Sequence, residues 1–214
     1  MNQFRLTPIV KNLLILNIVI FIILQLPGIG EYLFPYFLLF KSELILEHPE
    51  YHGYATPFHP IQLVTYFFNH NPRSLFHILF NMLMLVSLGP VLEMVMGAKR
   101  FLKFYLFCGV VGGMIIAFLD PSFNPVLGAS VAMSGVLLAF AFYFPTQKLG
   151  FFLIPIQFEA RQLAMGFAAI SAILTVLSWQ GFGVGGISHF GHLAGMVAGW
   201  LFFSLSKWIP VLGE

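Results

Sequence analysis

The sequence predicts an all-α membrane protein, six apolar helices in one domain over residues 1–214, with a helical first loop at the membrane surface. Three observations predict it. Of the 214 residues, 59% are hydrophobic and 8% charged, against roughly 25% charged in a soluble domain. Polar groups cannot cover such a surface, so its solvent must be lipid. Six stretches of spanning length follow one another, at about 9–26, 75–95, 101–119, 128–145, 162–179 and 187–206. The basic residues are also lopsided. Arg5, Lys11, Lys99, Arg100, Lys103, Lys148, Arg161 and Lys207 fall on one side of the alternating topology, and only Lys41 and Arg73 on the other. That bias places both termini in the cytoplasm.

The first stretch, PIVKNLLILNIVIFIILQLP, follows a basic N-terminus. It lacks a small-residue cleavage site and is too long for the apolar core of a leader, so it reads as a retained span. A long connection then runs from Pro27 to Ser74. Its two apolar pieces, YLFPYFLLF (32–40) and PIQLVTYFFNH (60–70), are too short to cross and predict interfacial helices. LDPSFNPVLGA (119–129) joins the third and fourth spans with turn formers. QGFGVGGIS (180–188) precedes the last span, and its four glycines suit a mobile flap. The lone Cys108 can form no intramolecular disulfide and reads as a small core residue. The net charge of +2 reflects the topological bias and gives no reason to expect nucleic-acid binding. Short loops and the lack of a targeting segment favour a bacterial inner membrane.

Polar side chains within spans are few, and an ionisable one there is a functional candidate. His77 and Asn81 lie on the second span, Ser130 and Ser134 on the fourth, His189 and His192 on the sixth. Asn81 precedes Lys99 by 18 residues, Ser130 precedes Lys148 by 18, and His192 precedes Lys207 by 15. At ~1.5 Å per residue these separations are about 22–27 Å, so the three groups share one layer below the outer surface. Gly195 and Gly199 follow His192 on the same helical face, a GxxxG pattern that admits a neighbouring backbone. The serine helix is the obvious neighbour.

A serine hydroxyl needs a base to become a nucleophile, and histidine suits that work. First-turn N–H groups, an Asn amide and a second His can then hold the oxyanion. Ser130, His192, His77 and Asn81 supply these parts, and no carboxylate lies at their depth. They predict a Ser–His dyad without a third member. Zinc is disfavoured, since no HExxH occurs and metal-binding carboxylates are missing. A transporter is disfavoured too, because there is no inverted repeat and no charged midplane residue.

These residues resemble the rhomboid intramembrane serine proteases over nearly the whole chain. HILFNM (77–82) is similar to the family's HxxxN element, LGPVLE (88–93) to the end of that span, LGAS (127–130) to the start of its GxSG motif, and GHLAGMVAG (191–199) to its base helix. The resemblance implies Ser130 as nucleophile, His192 as general base, and His77 and Asn81 as oxyanion stabilisers. It implies transmembrane protein substrates, no cofactor and no metal, with the fifth span and the following loop as gate and cap. His189, one turn above His192, could serve as base in another register, but the family pattern places the base just before LAG and leaves His189 a water-facing or substrate-lining role. His70 resembles a first-loop position near the site and equally suits a surface histidine.

Two positions depart from the pattern. Val131 stands where the family has glycine, which predicts crowding at the oxyanion site and motivates an alternative, a pseudoprotease that binds membrane helices without cutting them. Ser134 stands where the family often has an aromatic ring on the base, which predicts a less rigidly held His192. Ser134–Gly135 also offers a second register for the nucleophile, one turn deeper.

Overall fold

The computed structural model describes residues 6–40, 58–122, 125–150, 157–183 and 187–205. The acidic part of the first loop, Arg5, Lys41, Lys207 and the glycines at 185 and 186 lie outside the described residues. Helix α1 (Pro8–Ile23) begins on a proline, which its fixed φ favours at a first turn. Short α2 (Ile29–Leu33) and α3 (Gln62–Thr65) each run into a 3₁₀ turn. Then come α4 (Leu75–Met96), α5 (Ala98–Leu119), α6 (Ser130–Tyr143), α7 (Ala160–Trp179) and α8 (His189–Leu205). Helices α4, α5 and α7 are each long and apolar enough to cross a membrane. Exposed Ile15, Leu79, Ile173 and Trp200 show that apolar side chains face outward as well as inward, as lipid requires.

One connection among the described residues forms strands. A two-stranded antiparallel pair, β1 (Lys148–Gly150) and β2 (Gln157–Glu159), joins α6 to α7, with Lys148 opposite Glu159. At its end Glu159 and Gln162 form a capping box that starts α7, satisfying N–H groups that a helix start leaves unpaired.

The first loop also departs from the sequence prediction. Its second piece inserts into the bundle instead of lying on the surface: Tyr66 and Phe67 are fully buried. The cause is a run of glycines on α5. Tyr66 Oη donates to the Gly109 carbonyl at 2.8 Å, and the two rings occupy the space that side chains on Gly109 and Gly113 would fill.

Two further contacts fix the frame. Glu93, buried near the end of α4, accepts from Thr7 Oγ1 and from the N–H groups of Ile9 (3.0 Å) and Val10 (2.9 Å). Its carboxylate thereby caps the start of α1, where negative charge is favoured. The most extensive helix–helix interface joins α6 to α8. There a Cβ on Gly195 would collide with the Val131 carbonyl, and one on Gly199 would press on the Gly135 backbone at 3.1 Å. The GxxxG face of α8 lies against the serine helix, as the sequence pattern predicts.

Candidate active site

The layer deduced from residue counting is a cavity of about 590 Å³, lined among others by Ser130, His192, His77, Asn81, His189 and Ser134. Helix α4 supplies His77 and Asn81, α6 the serines, and α8 the other two histidines.

Ser130 is the first residue of α6, so the N–H groups of the first turn beside it have no intrahelical acceptor. Gly128, two residues earlier, has φ = +117°, which an L side chain rarely adopts. Its N–H donates to the Tyr66 carbonyl at 3.0 Å, which ties this bend to the inserted first loop. A Cβ on Gly128 would sit 2.7 Å from His77 Nε2 and 3.7 Å from Ser130 Oγ. Glycine is what lets the imidazole and the hydroxyl face the same small space.

The tautomer of His77 follows from its other nitrogen. Nδ1 accepts from the Asn71 N–H at 3.2 Å, so a neutral ring carries its proton on Nε2, the atom directed at Gly128. Asn81 uses one amide N–H on the His77 carbonyl one turn earlier (2.8 Å), which leaves its second N–H available. The two serines differ. Ser134 is buried, and its Oγ donates to the Ser130 carbonyl at 2.7 Å, the usual bond of a quiet helical hydroxyl. Ser130 is partly exposed to the cavity.

His192 is buried. Its Nδ1 has no hydrogen-bond partner among the described residues. The two buried carboxylates among the described residues are committed elsewhere. Glu93 is engaged with α1, and Asp120 accepts from Trp179 Nε1 (3.0 Å) and the Ser122 N–H (2.9 Å). Ser188 Oγ accepts from the Gly191 N–H at 3.1 Å and so helps to start α8. His189 meets His192 edge-on, with ring centroids 5.8 Å apart, and lines both this cavity and a second one beside Asp120 and Trp179.

Three expectations change here. Of the two readings open for His70, the surface one falls: it is fully buried, with its ring centroid 5.2 Å from that of His77. Burial, and then the neighbouring His77, push its pKa down to about 3, so His70 stays neutral. Val131 does not crowd the site. Its side chain fills a slot between helices, with Cγ1 where a side chain on Gly112 would be and Cγ2 beside Gly191. His192 does have a ring against it: Phe167 of α7, 5.0 Å away at 36°, supplies from another helix what Ser134 cannot.

An apolar helical bundle that gathers Ser130, His77, His189, His192 and Asn81 on one recess defines a helical membrane protein with a polar internal site. A rhomboid-domain family model matches residues 57–207, more than half of the chain, and the chain belongs to the rhomboid family. It is similar to mitochondrial Rhomboid protein 1 of Saccharomyces cerevisiae, 29% identical over 203 residues, covering 91% of this chain and 52% of that protein. It is also similar to mitochondrial presenilin-associated rhomboid-like protein A of Danio rerio, 28% identical over 198 residues, covering 89% of this chain and 45% of that one. The rhomboid protease GluP of Bacillus subtilis is 29% identical over 139 residues, 64% of this chain and 24% of GluP. The chain thus spans about half the length, or less, of these relatives.

The expected bacterial inner membrane is corrected by these relatives, most of which are mitochondrial proteins of yeast and vertebrates. Loop length reports how helices are connected, not which bilayer holds them, so it was never able to discriminate.

Proposed function

We propose that this chain is an intramembrane serine endopeptidase that cleaves transmembrane segments of other membrane proteins, with six crossings in a single domain. The observation that carries this is the gathering of Ser130, His192, His77 and Asn81 on one cavity. Ser130 Oγ attacks the scissile carbonyl while His192 takes its proton. The oxyanion is held by first-turn N–H groups of α6, by His77 Nε2–H and by the free N–H of Asn81. His192 then protonates the leaving amine, and a water activated by the same base hydrolyses the acyl-enzyme. His189, at the mouth of the recess, lines the path of the substrate.

Substrate access is supported on the side where α4 and α7 both line the cavity. Phe76, Phe80 and Ile170 are exposed at this rim, so a transmembrane segment can approach from lipid without crossing water. The names of the yeast and zebrafish relatives support a mitochondrial membrane as the setting. The pseudoprotease alternative rested on Val131, and the slot that takes its side chain speaks against it.

Cleavage of a single-span substrate in proteoliposomes is expected to fall by at least about 10³-fold in Ser130→Ala and in His192→Ala. Cleavage that persists in Ser130→Ala overturns the assignment. A chain whose Ser130 resists a fluorophosphonate while correctly folded is the non-cutting relative instead.

A further inference from the structure

We infer that Phe167 is a positioning residue for the base: its ring holds the His192 imidazole in the orientation that serves Ser130, and it ties that orientation to the seat of α7. The inference rests on the dyad reading above and adds a residue to it.

In a triad the carboxylate fixes the imidazole by accepting from Nδ1–H. Here Nδ1 is buried with no partner among the described residues, while Glu93 and Asp120 are committed elsewhere. The outer side-chain torsion of histidine has a broad profile, so a ring whose Nδ1 has no bonded partner takes much of its orientation from packing. The backbone beneath it is not free to vary, since the α6–α8 glycine contacts fix α8. What remains to be held is the ring. Phe167 lies over it at 5.0 Å and 36°, a tilted stack within the range where aromatic pairs attract, and His189 touches only an edge, at 83°.

The helix that carries Phe167 matters as much as the ring. The spanning segment of α7 is 17% buried, against 39% for α4 and for α5, so α7 is the least enclosed of these three. Phe167 is itself only half-buried. An outward shift of α7 removes the ring from His192, whereas a seated α7 restores it. Alignment of the base is therefore conditional on α7 being in place, although no residue of α7 takes part in the chemistry.

The test compares Phe167→Leu, Phe167→Ala and Phe167→Tyr in the full chain in proteoliposomes. Leucine keeps most of the volume and discards the ring. Fluorophosphonate labelling of Ser130 and kcat are expected to drop about 10²-fold in Phe167→Leu and Phe167→Ala, with KM unchanged, and to be retained in Phe167→Tyr. Parental rates in Phe167→Leu, or a loss confined to KM, overturn the inference. A readout independent of activity is the ring-current-shifted proton resonance of His192, assigned through His192→Gln. It is expected to relax in Phe167→Leu and persist in Phe167→Tyr, and an unchanged resonance in Phe167→Leu also overturns the inference. A parent that never labels at Ser130 defeats the dyad reading, and the resonance still decides whether Phe167 holds the ring.

Discussion

The α6–α8 seam and the α7 side of the molecule are built on opposite principles. Along the seam, Gly135, Gly195 and Gly199 bring two backbones into direct contact, and nearly everything there is buried. On the α7 side, Met165, Ile170 and Ile173 are exposed, and a large cavity separates the helix from α4. The difference teaches how packing and access are divided in this fold. On the proposed reading, nucleophile and base sit on the two helices whose backbones touch, and the opening lies beside the less enclosed α7. In lipid no hydrophobic force drives helices together, so closeness must come from small residues and its absence from large ones.

The seam is the place where a single change should do most damage. Gly195→Val puts branched carbons into the Val131 carbonyl, a backbone atom with nowhere to go. The expected cost reaches or exceeds the ~3 kcal/mol top of the usual overpacking range, read as a fall in Tm in detergent together with loss of Ser130 labelling. A variant that stays folded and active would show that the seam tolerates separation, and the contrast with α7 would fail.

Val131→Gly sharpens the same comparison from the other direction. It restores the glycine the family pattern expects, yet the slot beside Gly112 and Gly191 is then left empty. Lost packing is expected to cost about 1–2 kcal/mol, with no gain in kcat. A rise in activity without loss of stability would mean that valine does restrain the oxyanion site.

What the sequence disclosed and what it withheld follow the same line. Depth along a helix is local, since 1.5 Å per residue places Asn81, Ser130 and His192 in one layer from their distances to basic residues. The long apolar helices and the GxxxG face were legible for the same reason. Val131 was misjudged because the glycines that accommodate it, Gly112 and Gly191, lie on two other helices. Phe167 was passed over because one phenylalanine in an apolar span, in a chain with 26 of them, carries no signal until α7 is laid against α8. The insertion of Tyr66 and Phe67 was hidden likewise, since it depends on Gly109 and Gly113. Gly128 gave the fairest hint: a glycine two residues before Ser130 is what a positive φ beside His77 demands.

The smallest expected effect concerns a polar tie at the end of α7. Trp179 Nε1 donates to Asp120 Oδ1 at 3.0 Å, linking the last turn of α7 to the end of α5 beside the second cavity. Trp179 is 45% exposed, so the bond competes with water and is worth only about 0.5–1 kcal/mol. Trp179→Phe keeps an aromatic body and removes the donor, while Asp120 retains the Ser122 N–H. If α7 is the movable wall, loosening this end should lower KM for a transmembrane substrate by about 2–5-fold, the equivalent of that energy. Labelling by a small fluorophosphonate should stay the same, because such a reagent needs no opening and Phe167 lies twelve residues, or about 18 Å along the helix, from the released end. A matching fall in the labelling rate would mean that the whole of α7, Phe167 included, shifts as one piece, so that entry and alignment of the base are a single motion. An unchanged KM would instead place the substrate's way in somewhere other than beside α7.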